Sequence, residues 1–326
     1  MDSVLRKVVV TDWTFPDLSI EEEILAQQNL SLVGKQCKNA ADLIALVSDA
    51  DAVITQFARI DSTVIGAMRQ ARVIVRYGIG VDNVDLDSAG ARGIPVCNVP
   101  DYCMDEVADH TLAFILASTR QVVPNVLHLR TGLWGIATTL ASMQALSNLT
   151  VGVVGFGRIG REVVHRLRAF KCRVLVFDPM IPSEQIKEGG AEAAGSFDHL
   201  LAESDIVTLH CPSTLQTRRM FNTAAFAKLK RGAILINVGR GDLVDSAALM
   251  AALESGTLGG AALDVFDPEP IPRDDAILKM PNVILSSHIA SASPTAVRKL
   301  RESAANIALK ALRGEPLPNI VNAVKA

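Results

Sequence analysis

A chain of 326 residues, 49% hydrophobic, 21% charged and only 4% aromatic, is an aliphatic-rich globular protein long enough for two domains of ordinary size. Its formal net charge of −3 supplies no basic field, which argues against nucleic acid as a partner. Apolar runs such as 111–119 and 151–156 are too short to cross a bilayer, no leader segment is visible, and five scattered cysteines (Cys37, Cys97, Cys103, Cys172, Cys211) show neither a disulfide framework nor C-x-x-C metal spacing. The expectation is a cytoplasmic protein with no metal, no membrane contact and no nucleic acid.

In chain order, short apolar runs predict strands at 8–12, 52–55, 73–76 and 94–98, with helical periodicity at 20–28, 41–47 and 62–68, an α/β unit with a parallel sheet. A long helix over 101–119 is placed to connect two domains. From Val151 the alternation resumes: strand to Val154, helix 159–170, strand 173–177, strands 205–209 and 233–237, helix 245–255, strands 260–263 and 283–286. That is a complete doubly wound nucleotide-binding domain. The amphipathic stretch 294–312, closed by Gly314 and Pro316, is predicted to fold back onto the first domain. The expected division is a substrate domain from 1–99 and 290–326 around a nucleotide-binding domain at 100–289.

Within the second domain a strand runs straight into Gly155-Phe156-Gly157-Arg158-Ile159-Gly160, and Asp178 follows 18 residues after the last glycine. Gly155 allows a tight turn, Gly157 lets a pyrophosphate approach the main chain, and Gly160 lets the helix pack on the strand with its N-terminus toward phosphate. Alone G-x-G-x-x-G also describes an ordinary strand-helix turn; a second strand ending at Asp178 makes it a dinucleotide site. A carboxylate there accepts from a ribose 2′-hydroxyl and repels a 2′-phosphate, which favours NAD.

Ligands in such sheets lie beyond the carboxyl ends of the strands, so the polar residues following each strand are the candidates. Arg240 follows one strand, Asp264 and Glu269 the next, and His288 the last. Singly, these are a solvated loop arginine, an exposed turn and a structural histidine. Together a guanidinium to hold a carboxylate, an imidazole to donate a proton and a carboxylate to orient that imidazole form what a dehydrogenase needs. In the first domain, Arg76-Tyr77-Gly78-Ile79-Gly80 also follows a strand, and its successive N–H groups suit an anion, although a plain glycine turn fits as well. Cys211 at a strand end reads by default as a small packing residue, and Trp134 as an apolar anchor under the interdomain helix or at a dimer contact.

Five segments in order, residues 78–85, 153–160, 237–241, 263–266 with Glu269-Pro270, and 287–290, make the chain similar along essentially its whole length to the D-isomer-specific 2-hydroxyacid dehydrogenases. The resemblance implies a Rossmann domain plus a flavodoxin-like substrate domain, homodimers, NAD, and Arg240, Glu269 and His288 as catalytic residues. It implies cofactor contacts from Gly155, Gly157, Arg158, Ile159, Gly160, Asp178, Cys211, Pro212, Thr217, Val238, Gly239, Arg240, Asp264, His288 and Thr111, with Asp264 near the nicotinamide carboxamide. Substrate contacts are implied for Arg76, Gly78, Ile79, Gly80, Arg240 and His288. Residues 12–17 and 100–111 look like the branch holding the C-terminal-binding-protein corepressors and bacterial relatives labelled phosphoglycerate dehydrogenases, where the position of Arg76 suits a second anionic group. Residues 289–293 lack the Trp that follows the histidine in the corepressors.

The expected reaction is hydride transfer between nicotinamide and C2 of a small anionic D-2-hydroxy or 2-keto acid, phosphoglycerate- or hydroxypyruvate-like. Two other readings stand beside it: an NADH-sensing dimeric scaffold with little turnover, and an enzyme acting on an unrelated oxidisable anion such as phosphite.

Overall fold

The short aliphatic runs become strands buried on both faces, as parallel sheets flanked by helices require. The computed structural model describes residues 6–26 and 30–324, and its contacts divide the chain into two units, one running to Tyr102 and resuming at Ser293, the other Cys103–Ala292.

The first unit holds β1 (Lys7–Val10), β2 (Ser31–Gly34), β3 (Ala52–Thr55), β4 (Ile74–Arg76) and β5 (Val96–Cys97), all parallel, in the order β2-β1-β3-β4-β5. This is the flavodoxin-like order. Helices α1 (Ser19–Ala26), α2 (Ala40–Val47), α3 (Ser62–Ala67) and α4 (Leu86–Ala91) connect the strands, with Asn39, Asp61 and Asp85 accepting from backbone N–H groups as N-caps. The long helix α12 (Pro294–Arg313), capped by Ser293 and ended at Gly314 in the left-handed region, belongs to this unit. Its Leu300, Ala304, Ala308 and Leu312 join Val8, Ile54, Val75 and Tyr77 in the core on one face of the sheet, while α2 and α3 cover the other. Buried in that core, Arg301 donates to both carboxylate oxygens of Glu21, which also accepts from the Tyr77 hydroxyl at 2.8 Å.

The second unit carries β6 (Thr150–Val154), β7 (Arg173–Phe177), β8 (Glu192–Ala193), β9 (Ile206–Leu209), β10 (Ala233–Asn237), β11 (Leu258–Leu263) and β12 (Val283–Leu285) in one parallel sheet ordered β12-β11-β10-β9-β6-β7-β8. The order reverses between β6 and β9, the switch point at which doubly wound sheets bind ligands. Its helices are α5 (Met104–Thr119), α6 (Val122–Arg130), α7 (Arg158–Ala169), α8 (Ser183–Glu188), α9 (Phe197–Glu203), α10 (Thr223–Phe226) and α11 (Ser246–Glu254).

Several expectations shift. The strand expected over 8–12 ends at Val10, because the Asp12 carboxylate turns aside to accept the N–H groups of Gln56, Phe57 and Ala58. The one expected over 94–98 shrinks to two residues, since Pro95 has no N–H to donate. β2 was not anticipated: its four residues are partly exposed at the sheet edge and show no apolar alternation. Nor were β8, α6, α8 and α9, which are short or lack an apolar stripe. The helix expected over 101–119 starts at Met104 and packs on α7, β10 and β11 within the second unit. Gln27 and Gln28 of the helix expected over 20–28 lie outside the described residues. Trp134 is 92% exposed, so it anchors nothing within the chain.

Candidate active site

The turn after β6 shows what each glycine is for. Gly155 has φ +97°, and a Cβ there would stand 2.7 Å from the backbone of His210 and Cys211. A Cβ on Gly160 would overlap the Gly155 carbonyl, so this glycine lets α7 pack against the turn. Gly157 is different: it is exposed, its φ of −72° suits any residue, and a Cβ would meet nothing within 4 Å. The chain's own packing does not require a glycine there, whereas a ligand approaching the main chain at the start of α7 does. Across the turn, Asp178 at the end of β7 accepts the Phe156 N–H at 2.8 Å and the Met180 N–H at 2.9 Å while staying partly exposed. It shapes the glycine turn and keeps oxygen lone pairs for a ribose hydroxyl. The residues present therefore fit a dinucleotide.

The neighbouring strand ends complete the edge. Cys211 is partly buried, its sulfur 3.8 Å from that of Met220, and burial pushes its thiol up to about 11, consistent with a packing residue. The His210 carbonyl packs against Gly155, and burial pushes its imidazole down to about 3. Thr217 donates to the Pro212 carbonyl at 2.6 Å, closing the turn after β9. Val238 is buried. Thr111 is fully buried and its hydroxyl donates to Val107 one turn back along α5. Arg158 is exposed and Ile159 partly so.

Beyond β10 to β12 the expected acid, its partner and the cation come together. His288 Nδ1 lies 2.8 Å from Glu269 Oε2, and Glu269 Oε1 accepts the Phe266 N–H at 2.8 Å, so the carboxylate is held at both oxygens. Burial pushes the Glu269 carboxyl up, but the His288 hydrogen bond and charge, the Phe266 N–H and the Arg240 charge outweigh it and hold it below its ordinary value. Arg240 is partly buried, with one guanidinium nitrogen 2.9 Å from the Gly239 carbonyl, and Asn237 fixes the turn by donating to the Arg240 carbonyl at 2.8 Å. Gly241 is required because a Cβ there would overlap the Phe266 backbone.

His288 itself sits at φ +55°, a conformation that costs a non-glycine residue about 1–2 kcal/mol. Asp264 holds it there. The Asp264 carbonyl accepts the His288 N–H at 2.7 Å, and its fully buried carboxylate accepts the Ile289 N–H at 2.9 Å, the Ala290 N–H at 2.8 Å and the Ser286 hydroxyl. Ser286 in turn lies 3.1 Å from His110 Nε2 on α5. Sequence reasoning singled out neither His110 nor Ser286, because nothing in their spacing links a residue of α5 to one 176 positions later.

In the first unit, Arg76 is buried and its guanidinium lies over Gly78, where any Cβ would collide with it. Gly78 has φ +145° and its N–H donates to the Arg76 carbonyl at 2.9 Å, so this group of the expected N–H cradle is turned inward. Ile79 and Gly80 remain as its candidate donors. Among the described residues no cluster of side chains suits a metal ion, and no helix is long and apolar enough to cross a membrane.

Residues 112–290 match the family described as D-isomer specific 2-hydroxyacid dehydrogenase, NAD binding domain. A glyoxylate reductase of Korarchaeum cryptofilum is 39% identical over 283 residues, covering 86% of this chain and 85% of the reductase. A D-3-phosphoglycerate dehydrogenase of Methanocaldococcus jannaschii is 34% identical over 97% of this chain, which spans 59% of that longer protein. The crystal structure of a D-lactate dehydrogenase from Aquifex aeolicus, complexed with NAD and lactic acid, superposes with a TM-score of 0.85 at 28% identity, covering 94% of this chain and 96% of that one. With the glycine turn, the strand order and the paired Glu269 and His288 already in place, the chain belongs to the D-isomer specific 2-hydroxyacid dehydrogenase family and is an NAD-dependent oxidoreductase of that family.

Proposed function

We propose that the protein reduces a short, unbranched 2-keto acid such as glyoxylate or hydroxypyruvate to the 2-hydroxy acid, of D configuration where C2 becomes a stereocentre, with Arg240, Glu269 and His288 as its catalytic residues. The observation that carries this reading is the 2.8 Å pairing of His288 Nδ1 with Glu269, which leaves Nε2 as the atom that exchanges a proton. NADH, when bound, supplies the hydride that C2 receives. The Arg240 guanidinium holds the substrate carboxylate bidentately and fixes which face of the carbonyl is presented. The His288 imidazolium gives its Nε2 proton to the C2 oxygen as negative charge develops there, and Glu269 stabilises the imidazolium through Nδ1–H, a contribution of roughly 10²–10⁴-fold. Gly155, Gly157, Gly160 and Asp178 hold the cofactor. In the first unit, Arg76, Ile79 and Gly80 form a loop suited to anionic substrate groups.

A short substrate is favoured because the glyoxylate reductase is 39% identical to this chain and the phosphoglycerate dehydrogenase of Methanocaldococcus jannaschii 34%. Steady-state NADH oxidation against glyoxylate, pyruvate, hydroxypyruvate and phosphohydroxypyruvate tests it. The highest kcat/KM is expected with glyoxylate or hydroxypyruvate; a preference for the phosphorylated acid would replace the short-acid reading, and NADH binding without any turnover would return the scaffold.

The working form is proposed to be a homodimer. α6 contributes no buried residue, and Val122, Val126, Leu127 and Leu129 on it and Leu133, Trp134 and Ile136 just after it are exposed, an apolar stretch of the kind that marks protein–protein contacts. Leu127→Glu with Leu129→Glu is expected to give monomers by analytical ultracentrifugation. Five cysteines that form no disulfide among the described residues suit a cytoplasmic location.

A further inference from the structure

A chain of hydrogen bonds runs from α5 to the backbone of His288. The Ser286 hydroxyl donates to Asp264 Oδ1, so its oxygen faces His110 as an acceptor, and His110 Nε2, 3.1 Å away, carries the hydrogen. Asp264 Oδ1 is shared with the Ile289 N–H at 2.9 Å and Oδ2 with the Ala290 N–H at 2.8 Å, the two donors that follow His288. The same aspartate's carbonyl takes the His288 N–H at 2.7 Å. One residue, its side chain 1% exposed, thus fixes three successive N–H groups around the left-handed His288, two through its carboxylate and one through its carbonyl. What fixes that side chain is Ser286, and what fixes Ser286 is a ring anchored on a helix and packed edge-on against Phe114 at 4.4 Å.

We propose that His110 and Ser286 are positioning residues for His288, acting in series through the Asp264 carboxylate to hold the His288 backbone in its left-handed turn and so aim Nε2. The proposal rests on the reading of His288 as the proton donor. Without the Ser286 hydroxyl the carboxylate keeps one backbone donor per oxygen but loses its tie to α5, and the turn that presents the imidazole loosens. Neither residue is assigned contact with substrate or cofactor. Their effect falls on the placement of an acid whose partner Glu269 is supplied separately by the segment after β11.

The test compares Ser286→Ala, Ser286→Thr, His110→Leu, His110→Gln, the Ser286→Ala/His110→Leu double variant and His288→Gln in the whole enzyme, following kcat, substrate KM, NADH affinity by fluorescence titration and thermal midpoint. Displacing an acid by a fraction of an ångström to about 1 Å predicts a loss in kcat of roughly ten- to a hundredfold for Ser286→Ala and His110→Leu. NADH affinity is expected to fall far less than kcat, because the glycine turn and Asp178 are untouched. Threonine restores the hydroxyl and glutamine an N–H donor near the Nε2 position, so both are expected to recover most of the loss, which a packing role for the ring or the serine would not produce. Because the two act in series, the double variant is expected to lose no more than the worse single one. Should Ser286→Ala not fold, Ser286→Cys, nearly the same size and a weak donor, carries the same expectation. Wild-type kcat in both Ser286→Ala and His110→Leu, or losses that multiply in the double variant, overturns the proposal. Wild-type turnover in His288→Gln would instead overturn the acid assignment on which it rests.

Discussion

Replacing Gly155 and Gly157 separately by alanine should divide stability from cofactor affinity at two positions only one residue apart. At Gly155, φ +97° costs an L-residue about 1–2 kcal/mol. The contact of the new methyl with the His210 and Cys211 backbone at 2.7 Å adds about 1–3 kcal/mol of overpacking. The variant should therefore lose about 2–5 kcal/mol, and a domain the size of the second unit loses about 2–4 °C in Tm per kcal/mol. Gly157 has φ −72° and open space where the methyl would go, so alanine there should stabilise by about 0.4–1 kcal/mol through the unfolded chain. The same methyl stands between the main chain and a pyrophosphate, and loss of a charge-assisted hydrogen bond, about 1.5–3 kcal/mol, weakens NADH binding by roughly ten- to 150-fold. Differential scanning calorimetry without cofactor and fluorescence titration with NADH read the two quantities independently. Unchanged NADH affinity in Gly157→Ala, or an equal loss of Tm in both variants, would refute the reasoning.

For Glu269→Gln, removing the carboxylate that orients His288 through Nδ1 should lower kcat for keto-acid reduction by up to roughly 10²–10⁴-fold, and an unchanged kcat would remove the pairing from the mechanism. The stability counterpart lies on the acid side: Glu269 titrates below its ordinary value of 4.5, so its contribution is complete above that pH and is lost as pH falls through the lowered value, a slope that urea melts of Glu269→Gln should lack. Asp178→Asn is expected to keep the glycine turn while narrowing the preference for NADH over NADPH, read as a ratio of kcat/KM values; an unchanged ratio would remove Asp178 from the ribose. In the first unit, Glu21→Ala leaves Arg301, 5% exposed, without its buried counter-charge, and a loss of about 3–5 kcal/mol is expected in denaturant unfolding.

The strands that carry the site were legible because parallel strands buried on both faces are continuous aliphatic runs: 150–154, 173–177 and 233–237 stand out against their surroundings. Elements at the edges were not. β2 and β8 are short and half exposed, so packing against one neighbour decides them. The roles of Gly155 and Gly160 were readable as turn and packing, but the contrast with Gly157 needed the third dimension, since it depends on what a Cβ would touch. Glu269 and His288 could be foreseen as neighbours because adjacent parallel strands end side by side. The tie from His110 through Ser286 to Asp264 could not, because it depends on how α5 lies against the sheet and on a turn at φ +55° that no residue type announces. The exposed face of α6 was missed because the helix is short and only its burial shows that its apolar residues face water.

The helix α12, far along the chain, fills the core beside β1, β3 and β4. The first unit is consequently assembled from segments separated by the whole of Cys103–Ala292. During synthesis the second unit is a contiguous stretch that emerges complete while the first still lacks one wall. Order of manufacture then favours a nucleotide-binding half that matures early, with a substrate half that closes its interior only when the last long helix leaves the ribosome. Premature termination between Ser293 and Leu300 would spare the former and leave the latter with its aliphatic sheet face open to water.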